Sequence, residues 1–325
     1  MVTILLYAIP LVMGDKVSDG SFRALIVAGS NGFTNYRHQA DVCHQYHLMT
    51  SAILAAEVTL MMYDDVAWSR RNPLIGRLFN WPGGRNVYSG CITDYRADKV
   101  SLDNFLYEIN RLTETDTSTI FISFVDHGQP GYLLLPNGDR LDSETLVKSL
   151  EDLSRTSPNA VTLVYVEACH AGSLFEGRDL PERTLVVTAA NATESSWAAF
   201  CPTPDHPMAD YINGVHIGAC LGDLFSVAWV NDLESRLSNR ENVPLAAHIE
   251  AVKTIVSKKS NVMVYGDLSV LDMKLFDLFP PVDNLADKKG FHPVNESVMI
   301  ESSQPQKCAH IMKYTPETVN TEVIM

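Results

Sequence analysis

Unbroken apolar stretches alternate with amphipathic ones along most of the chain. Residues 22–29 read FRALIVAG, 57–63 EVTLMMY, 118–125 STIFISFV, 160–166 AVTLVYV and 184–189 TLVVTA. Each is short and mostly apolar, with β-branched or aromatic residues in several, and so predicts a strand covered on both faces. Between them, residues 36–49, 101–112 and 141–153 follow a helical pattern, with Ser101 and Asp142 or Ser143 placed to cap the last two. Two further helices are expected at about 221–237 and 244–257, and a small hairpin around Asn137-Gly138. This alternation predicts an α/β fold, a mostly parallel sheet with helices on both faces. Residues 68–95, rich in Gly, Pro, Asn and Arg, read as long loops, and there are no internal repeats.

The pattern stops after FPP at 279–281, and residues 282–325 are polar, punctuated by Pro and without sustained periodicity. They read as a separate C-terminal tail. At the other end, residues 1–14 (MVTILLYAIPLVMG) are too short an apolar run to cross a bilayer, which takes ~20 helical residues. They suit the apolar region of a secretory signal cut near Asp15, without the basic start such signals usually have; the alternative is an ordinary N-terminal strand. The expected division is a signal peptide at 1–14, a catalytic domain at 15–281 and a tail at 282–325 that could act as an inhibitory propeptide.

Composition narrows the classes. Hydrophobic residues make up 46% of 325, enough for a sizeable core, and Lys+Arg 25 against Asp+Glu 39 leaves a net charge of −14. That surface argues against nucleic acid or an anionic membrane as partner, and no later segment is apolar enough to predict a membrane span. Six cysteines (43, 91, 169, 201, 220, 308) are too few for a disulfide scaffold and lack zinc-site spacing, so no metal or cofactor is expected. Cys43, His44 and His47 could be imagined as metal ligands, but an amphipathic helix explains them. Asn191 and Asn295 each begin a glycosylation sequon.

Candidate chemistry lies at two strand ends. One strand terminates in Asp126-His127-Gly128, the other in Glu167-Ala168-Cys169-His170. Carboxyl ends of strands in an open α/β sheet gather at one edge, where ligands bind. A His and a Cys there could meet although 169 − 127 = 42 positions separate them. An imidazole beside a thiol favours the thiolate and can protonate a leaving amine. Gly128 and Gly172 would keep the approach open. Taken alone, these dipeptides fit a buried structural cysteine better.

The wider pattern changes that balance. FVDHG at 124–128, YVEACHAGS at 165–173 and SNGFTNYRHQAD at 30–41 closely resemble the legumain (asparaginyl endopeptidase) family. So do LMMYDDVA at 60–67, NVYSG at 86–90, TAANATESSWA at 188–198, CLGDLFSVAW at 220–229 and YGDLSV at 265–270. The resemblance covers about 22–275 and implies a caspase-like α/β fold. It implies Cys169 as nucleophile, His127 as general acid/base, Asn35 orienting the imidazole, and Gly128 and Cys169 giving oxyanion N–H groups. From the residues alone, Asn35 would read as a loop-capping amide.

The resemblance also places a specificity pocket at Arg37, His38, Glu167, Ser195, Ser196 and Asp223. An asparagine side chain offers one acceptor and two donor hydrogens, so a donor opposite acceptors would read it and reject apolar residues. Aspartate would be admitted as acid relaxes repulsion from Glu167 and Asp223. The alternative is that Arg37 and Asp223 form a structural ion pair. The family's plant members suggest a disulfide between Cys201 and Cys220; two free thiols are the alternative. Family relatives carry a helical prodomain longer than the stretch after residue 281. The tail is expected to inhibit even so, as an extended segment in the cleft released by cleavage after Asn284, Asn295 or Asn320; the alternatives are a merely disordered tail and a truncated, unimportant one.

The resemblance implies protein and peptide substrates and, beyond them, the protein's own tail and cystatin-like inhibitors as partners. It implies the secretory pathway, with a lysosome- or vacuole-like compartment or secretion as the destination. The alternatives are peptide ligation by the same site, a transamidase-like relative and an inactive homologue.

Overall fold

The computed structural model describes residues 21–113, 117–283 and 294–306. The expected signal segment, Asn284, Asn320 and Cys308 lie outside the described residues. Along the chain, β1 (Ser21–Ala28) leads through a short 3-10 turn into α1 (Tyr36–Ala52), then β2 (Ala56–Met61), α2 (Leu102–Arg111) and β3 (Thr117–Val125). Three short strands follow, β4 (Gly128–Gln129), β5 (Tyr132–Leu134) and β6 (Arg140–Asp142), and then α3 (Ser143–Thr156), β7 (Val161–Glu167) and β8 (Thr184–Thr188). Past the core come β9 (Trp197–Ala199), the pair β10 (Tyr211–Ile212) and β11 (Val215–His216), β12 (Gly222–Asp223), α4 (Leu224–Ser238) and α5 (Leu245–Val256). The described chain ends with β13 (Met263–Gly266), α6 (Leu275–Leu278), α7 (Glu296–Glu301) and β14 (Gln304–Pro305).

The six-stranded central sheet has the order β13-β8-β7-β3-β1-β2. Neighbours are parallel except for β13, which runs antiparallel to β8 at one edge. The expected mostly parallel α/β sheet is therefore observed. The two faces explain the apolar strand sequences. Alternate residues such as Ile26, Phe121 and Tyr165 face Trp229 of α4 and Ile249 of α5 on one side. Leu25, Ile122 and Val164 face Phe105 of α2 and Leu150 of α3 on the other. Ser101 caps α2 through Asn104 N, and Asp142 caps α3 through Thr145 N, the first of the two cap positions expected.

Two features differ from the expectations of the sequence. Cys43 is bonded to Cys91, so its sulfur is not available to a metal. The segment after residue 281, where the sequence predicts no elements, contains α7 and β14, and α7 buries Met299 and Ile300. A six-residue helix and two strand residues are too short to leave a period in the sequence. Among the described residues, no helix is long and apolar enough to cross a membrane.

Candidate active site

Parallel pairing brings the chemistry to one edge. Val125 of β3 lies opposite Glu167 of β7, so His127 and Cys169 each stand two residues beyond paired positions. The Asp126 N–H donates to the Glu167 carbonyl at 3.0 Å and extends the match past the strand. Gly128 lies so close to Cys169 that a Cβ there would meet the Cys169 carbonyl oxygen at 2.0 Å. Its lack of a side chain is thus a packing requirement. Gly172 is similar: a Cβ would meet Tyr265 Oη at 2.6 Å and Ala192 N at 2.8 Å, so it serves close packing rather than access. After Cys169 the chain turns sharply at His170, which has a left-handed φ of 55°. Cys169 belongs to neither of the two disulfides and is fully buried.

Asn35 at the end of the β1–α1 connection reaches the same edge. Its Nδ2 donates to the Asn31 carbonyl at 2.8 Å, so its Oδ1 is the atom 2.8 Å from His127 Nε2. A carbonyl oxygen only accepts, so Nε2 carries the hydrogen and the lone pair of a neutral imidazole is on Nδ1. Burial, with Arg37 next, lowers the His127 pKa to about 3, which keeps the ring neutral. His38 packs edge-on against His127 with ring centroids 5.0 Å apart. Burial and Arg37 likewise hold it well below the usual imidazole value. His38, Asp126 and His127 bring potential metal-ligand atoms within 4.8 Å of one another, but the Arg37 charge that depresses both imidazoles opposes a cation there.

The cluster of side chains around Arg37 and Asp223 is buried and dense in charge. Arg37 Nε donates to Asp223 Oδ1 at 2.7 Å, and both side chains are almost fully buried. Glu167 Oε2 accepts from Ser226 N at 3.0 Å and lies near Ser226 Oγ at 3.3 Å, in the first turn of α4. Asp41, one helical turn after Arg37, accepts from Asp223 N at 3.0 Å. Burial raises the pKa of all three carboxyls. Repulsion from Asp223 adds to this at Asp41 and Glu167, whereas Arg37 opposes it at Asp223, making Asp223 the first to ionise. Ser196 is fully buried beside this group, and Ser195 is half-buried next to it in the chain.

The C-terminal segment occupies the cleft. β14 pairs antiparallel with β9, Gln304 opposite Ala198 and Pro305 opposite Trp197. Gln306 N then donates to the Ser196 carbonyl at 2.9 Å, and Gln306 Nε2 donates to Asp223 Oδ1 at 2.7 Å. The Gln306 carbonyl oxygen lies 3.8 Å from Cys169 Sγ. Cys201, bonded to Cys220, donates its N–H to the Ser302 carbonyl at 3.3 Å, joining the disulfide loop to the same segment. Asn295 caps α7 by accepting from Val298 N. Asn191 accepts from Thr193 N within its own turn.

Asp41, Asn80 and Gln306 join the site without having been expected there. Asp41 is within reach of sequence reasoning, because its i,i+4 spacing from Arg37 puts both on one face of α1. Gln306 carries no such signal, since a processing site is expected at an asparagine of the tail.

A histidine and a buried cysteine at adjacent ends of a parallel sheet, with a carboxamide held against the imidazole, are the arrangement that thiol-dependent hydrolases and transferases use. Residues 23–284 match the Peptidase C13 family, and the chain belongs to that family. Vacuolar-processing enzyme beta-isozyme 1 of Oryza sativa subsp. japonica is 36% identical over 306 residues, covering 88% of this chain and 58% of its own. Legumain of Canavalia ensiformis is 34% identical over 340 residues, covering 92% of this chain and 70% of its own. Among solved structures, caspase-1 from Spodoptera frugiperda aligns at a TM-score of 0.47 with 12% identity, over 79% of this chain and 91% of its own. The chain spans less than two thirds of the length of the first of these relatives.

Proposed function

We propose that the chain is a cysteine endopeptidase that cuts after asparagine, and after aspartate in acid, and that its C-terminal segment holds it closed. Cys169 attacks the carbonyl carbon, and its proton passes to Nδ1 of His127. The imidazolium then protonates the departing amine, leaving an acyl-enzyme that water or an incoming amine resolves. Asn35 keeps the ring in the tautomer this requires. Gly128 and Cys169 are the proposed oxyanion donors.

One observation carries the reading: a carboxamide side chain in the pocket coincides with a backbone carbonyl beside the thiol. Gln306 donates to Asp223 at 2.7 Å while its carbonyl oxygen stands 3.8 Å from Cys169 Sγ. Asparagine offers the same donor and acceptor set on a stem one methylene shorter, so it would seat its scissile carbonyl differently. Gln306 then acts as an occupant read by the pocket but poorly placed for attack. The Cys43–Cys91 and Cys201–Cys220 bonds suit the secretory pathway and an oxidising compartment. The relatives' name, vacuolar-processing enzyme, supports a vacuole-like destination.

The test is to incubate the full chain with peptides containing a single Asn, Asp, Arg or Leu from acidic to mildly alkaline pH. Products are identified by mass, which also separates hydrolysis from ligation. Cleavage after Asn should dominate, with cleavage after Asp rising in acid; strong cleavage after Arg or Leu would sink the pocket assignment.

A further inference from the structure

Behind the pocket, α1 carries Arg37, Asp41 and His44 on one face, and a line of hydrogen bonds runs from the pocket into the protein. Asp41 takes the Asp223 N–H on Oδ2 at 3.0 Å and Asn80 Nδ2 on Oδ1 at 2.6 Å. Asn80 Nδ2 also donates to the Leu221 carbonyl at 3.2 Å, which fixes the orientation of the amide. Its Oδ1 therefore faces His44 Nδ1 at 2.9 Å, and that nitrogen must donate. The other ring nitrogen of His44 lies 3.2 Å from Glu234 Oε1. The wall bearing Asp223 stands directly on Asn80: a Cβ on Gly222 would meet Asn80 Nδ2 at 2.7 Å.

Charge along this line is paired at both ends. His44 faces Glu234, and Arg37 faces Asp223. Asp41 lies between them without a cation of its own. Ionised, it would put a second buried anion against Asp223, with Glu167 at the end of β7 adding to the repulsion. Arg37, His38 and His44 are the basic groups of α1 nearest it, and each already faces a carboxylate. Burial and the neighbouring Asp223 hold the Asp41 carboxyl well above its ordinary pKa, consistent with a retained proton.

We infer that Asp41 is a positioning residue that, tied through Asn80 to the His44–Glu234 pair, fixes Asp223 as the acceptor for the side chain of the residue before the cut. The inference rests on the proposed role of the Arg37–Asp223 pocket. It adds that the acceptor is placed by an uncharged acid behind it and that the carboxylate of Asp41 is not what the site uses.

Kinetics of the acid-incubated full chain on matched Asn and Asp peptides, across pH, tests this with Asp41→Asn and Asp41→Ala. Asp41→Asn is uncharged at every pH, and its carbonyl oxygen can still accept from Asp223 N, at the cost of the bond from Asn80 Nδ2. That variant should lose less than Asp41→Ala, staying within about tenfold of wild type at the acidic optimum, and retain activity further into the alkaline range. Asp41→Ala should lower kcat/KM for the Asn peptide about tenfold to a hundredfold, mainly through KM, and narrow the preference for Asn over Asp. An Asp41→Ala variant within about twofold of wild type overturns the inference, as does an Asp41→Asn variant no better than Asp41→Ala. If Asp41→Ala does not fold, Asn80→Ala breaks the same line one link back, and wild-type kinetics from that variant overturn the inference equally. Failure of the wild type to cut after Asn would instead defeat the pocket reading itself.

Discussion

The central sheet and the C-terminal segment meet at Cys169, but different forces hold them there. Every residue of β7 is buried, and the strand pairs with β3 along its whole length and with β8 over residues 162–166, so Cys169 stands on some of the most heavily buried backbone in the protein. β14 has two exposed residues paired on one side to the short β9. Its main apolar anchors are Met299 and Ile300, whose burial is worth about 1.5–3 kcal/mol each. The few hydrogen bonds of 302–306 add about 0.5–1.5 kcal/mol apiece. A segment held this way can leave without unfolding the sheet, since local opening costs far less than global unfolding. On the proposed closure, the site is the permanent part and the C-terminal segment the removable one.

The largest expected effect tests the permanent side. Cys169→Ala removes the thiol and one sulfur's worth of packing at a position held by strand pairing. Peptide cleavage should fall at least about a thousandfold, with the thermal melt nearly unchanged. Activity equal to wild type would overturn the enzyme assignment. The removable side is tested by Gln306. Gln306→Ala deletes the charge-assisted bond to Asp223 and should raise the initial rate of the unprocessed full chain about tenfold. Gln306→Asn supplies the shorter carboxamide, and mass analysis after acid incubation should find the chain cut after residue 306. A variant pair as closed and uncut as wild type would show that Gln306 is not what blocks the cleft.

The same contrast explains what can be read from the sequence. FVDHG and YVEACHAGS are legible because each couples a two-faced buried strand to a polar residue at its carboxyl end, and parallel strands place such ends together. The ends of α2 and α3 are legible to within a few residues, since their apolar residues recur on one face and Ser101 and Asp142 cap their starts. The antiparallel edge strand β13 stands out only as a motif. With just four partly exposed residues it has neither alternation nor an apolar run. An extended segment in the cleft is foreseeable, yet its contact residue is not, because pairing with β9 demands backbone atoms and no particular side chains. The Asp41–Asn80–His44 line joins residues of a helix and a distant loop, and no local spacing records that.

The smallest effect concerns acid stability. The Asp41, Glu167 and Asp223 carboxyls all have raised pKa values in the fold, so the folded chain binds more protons than the unfolded one across that range. Stability from these groups is present in acid and is lost as pH rises through the raised values. His38 and His127 act oppositely: their depressed pKa values cost stability as pH falls below the unfolded imidazole value of about 6.5. The melt of the full chain should therefore peak in mild acid and decline toward neutral and alkaline pH. Glu167→Gln, made in the Cys169→Ala background to prevent self-cleavage, keeps an acceptor for Ser226 but cannot ionise. It should flatten the alkaline decline by on the order of 2 °C while leaving the acid side unchanged. Parallel melting curves for the two proteins would mean that Glu167 already ionises normally inside the fold, and that the pocket tolerates its charge without help from acid.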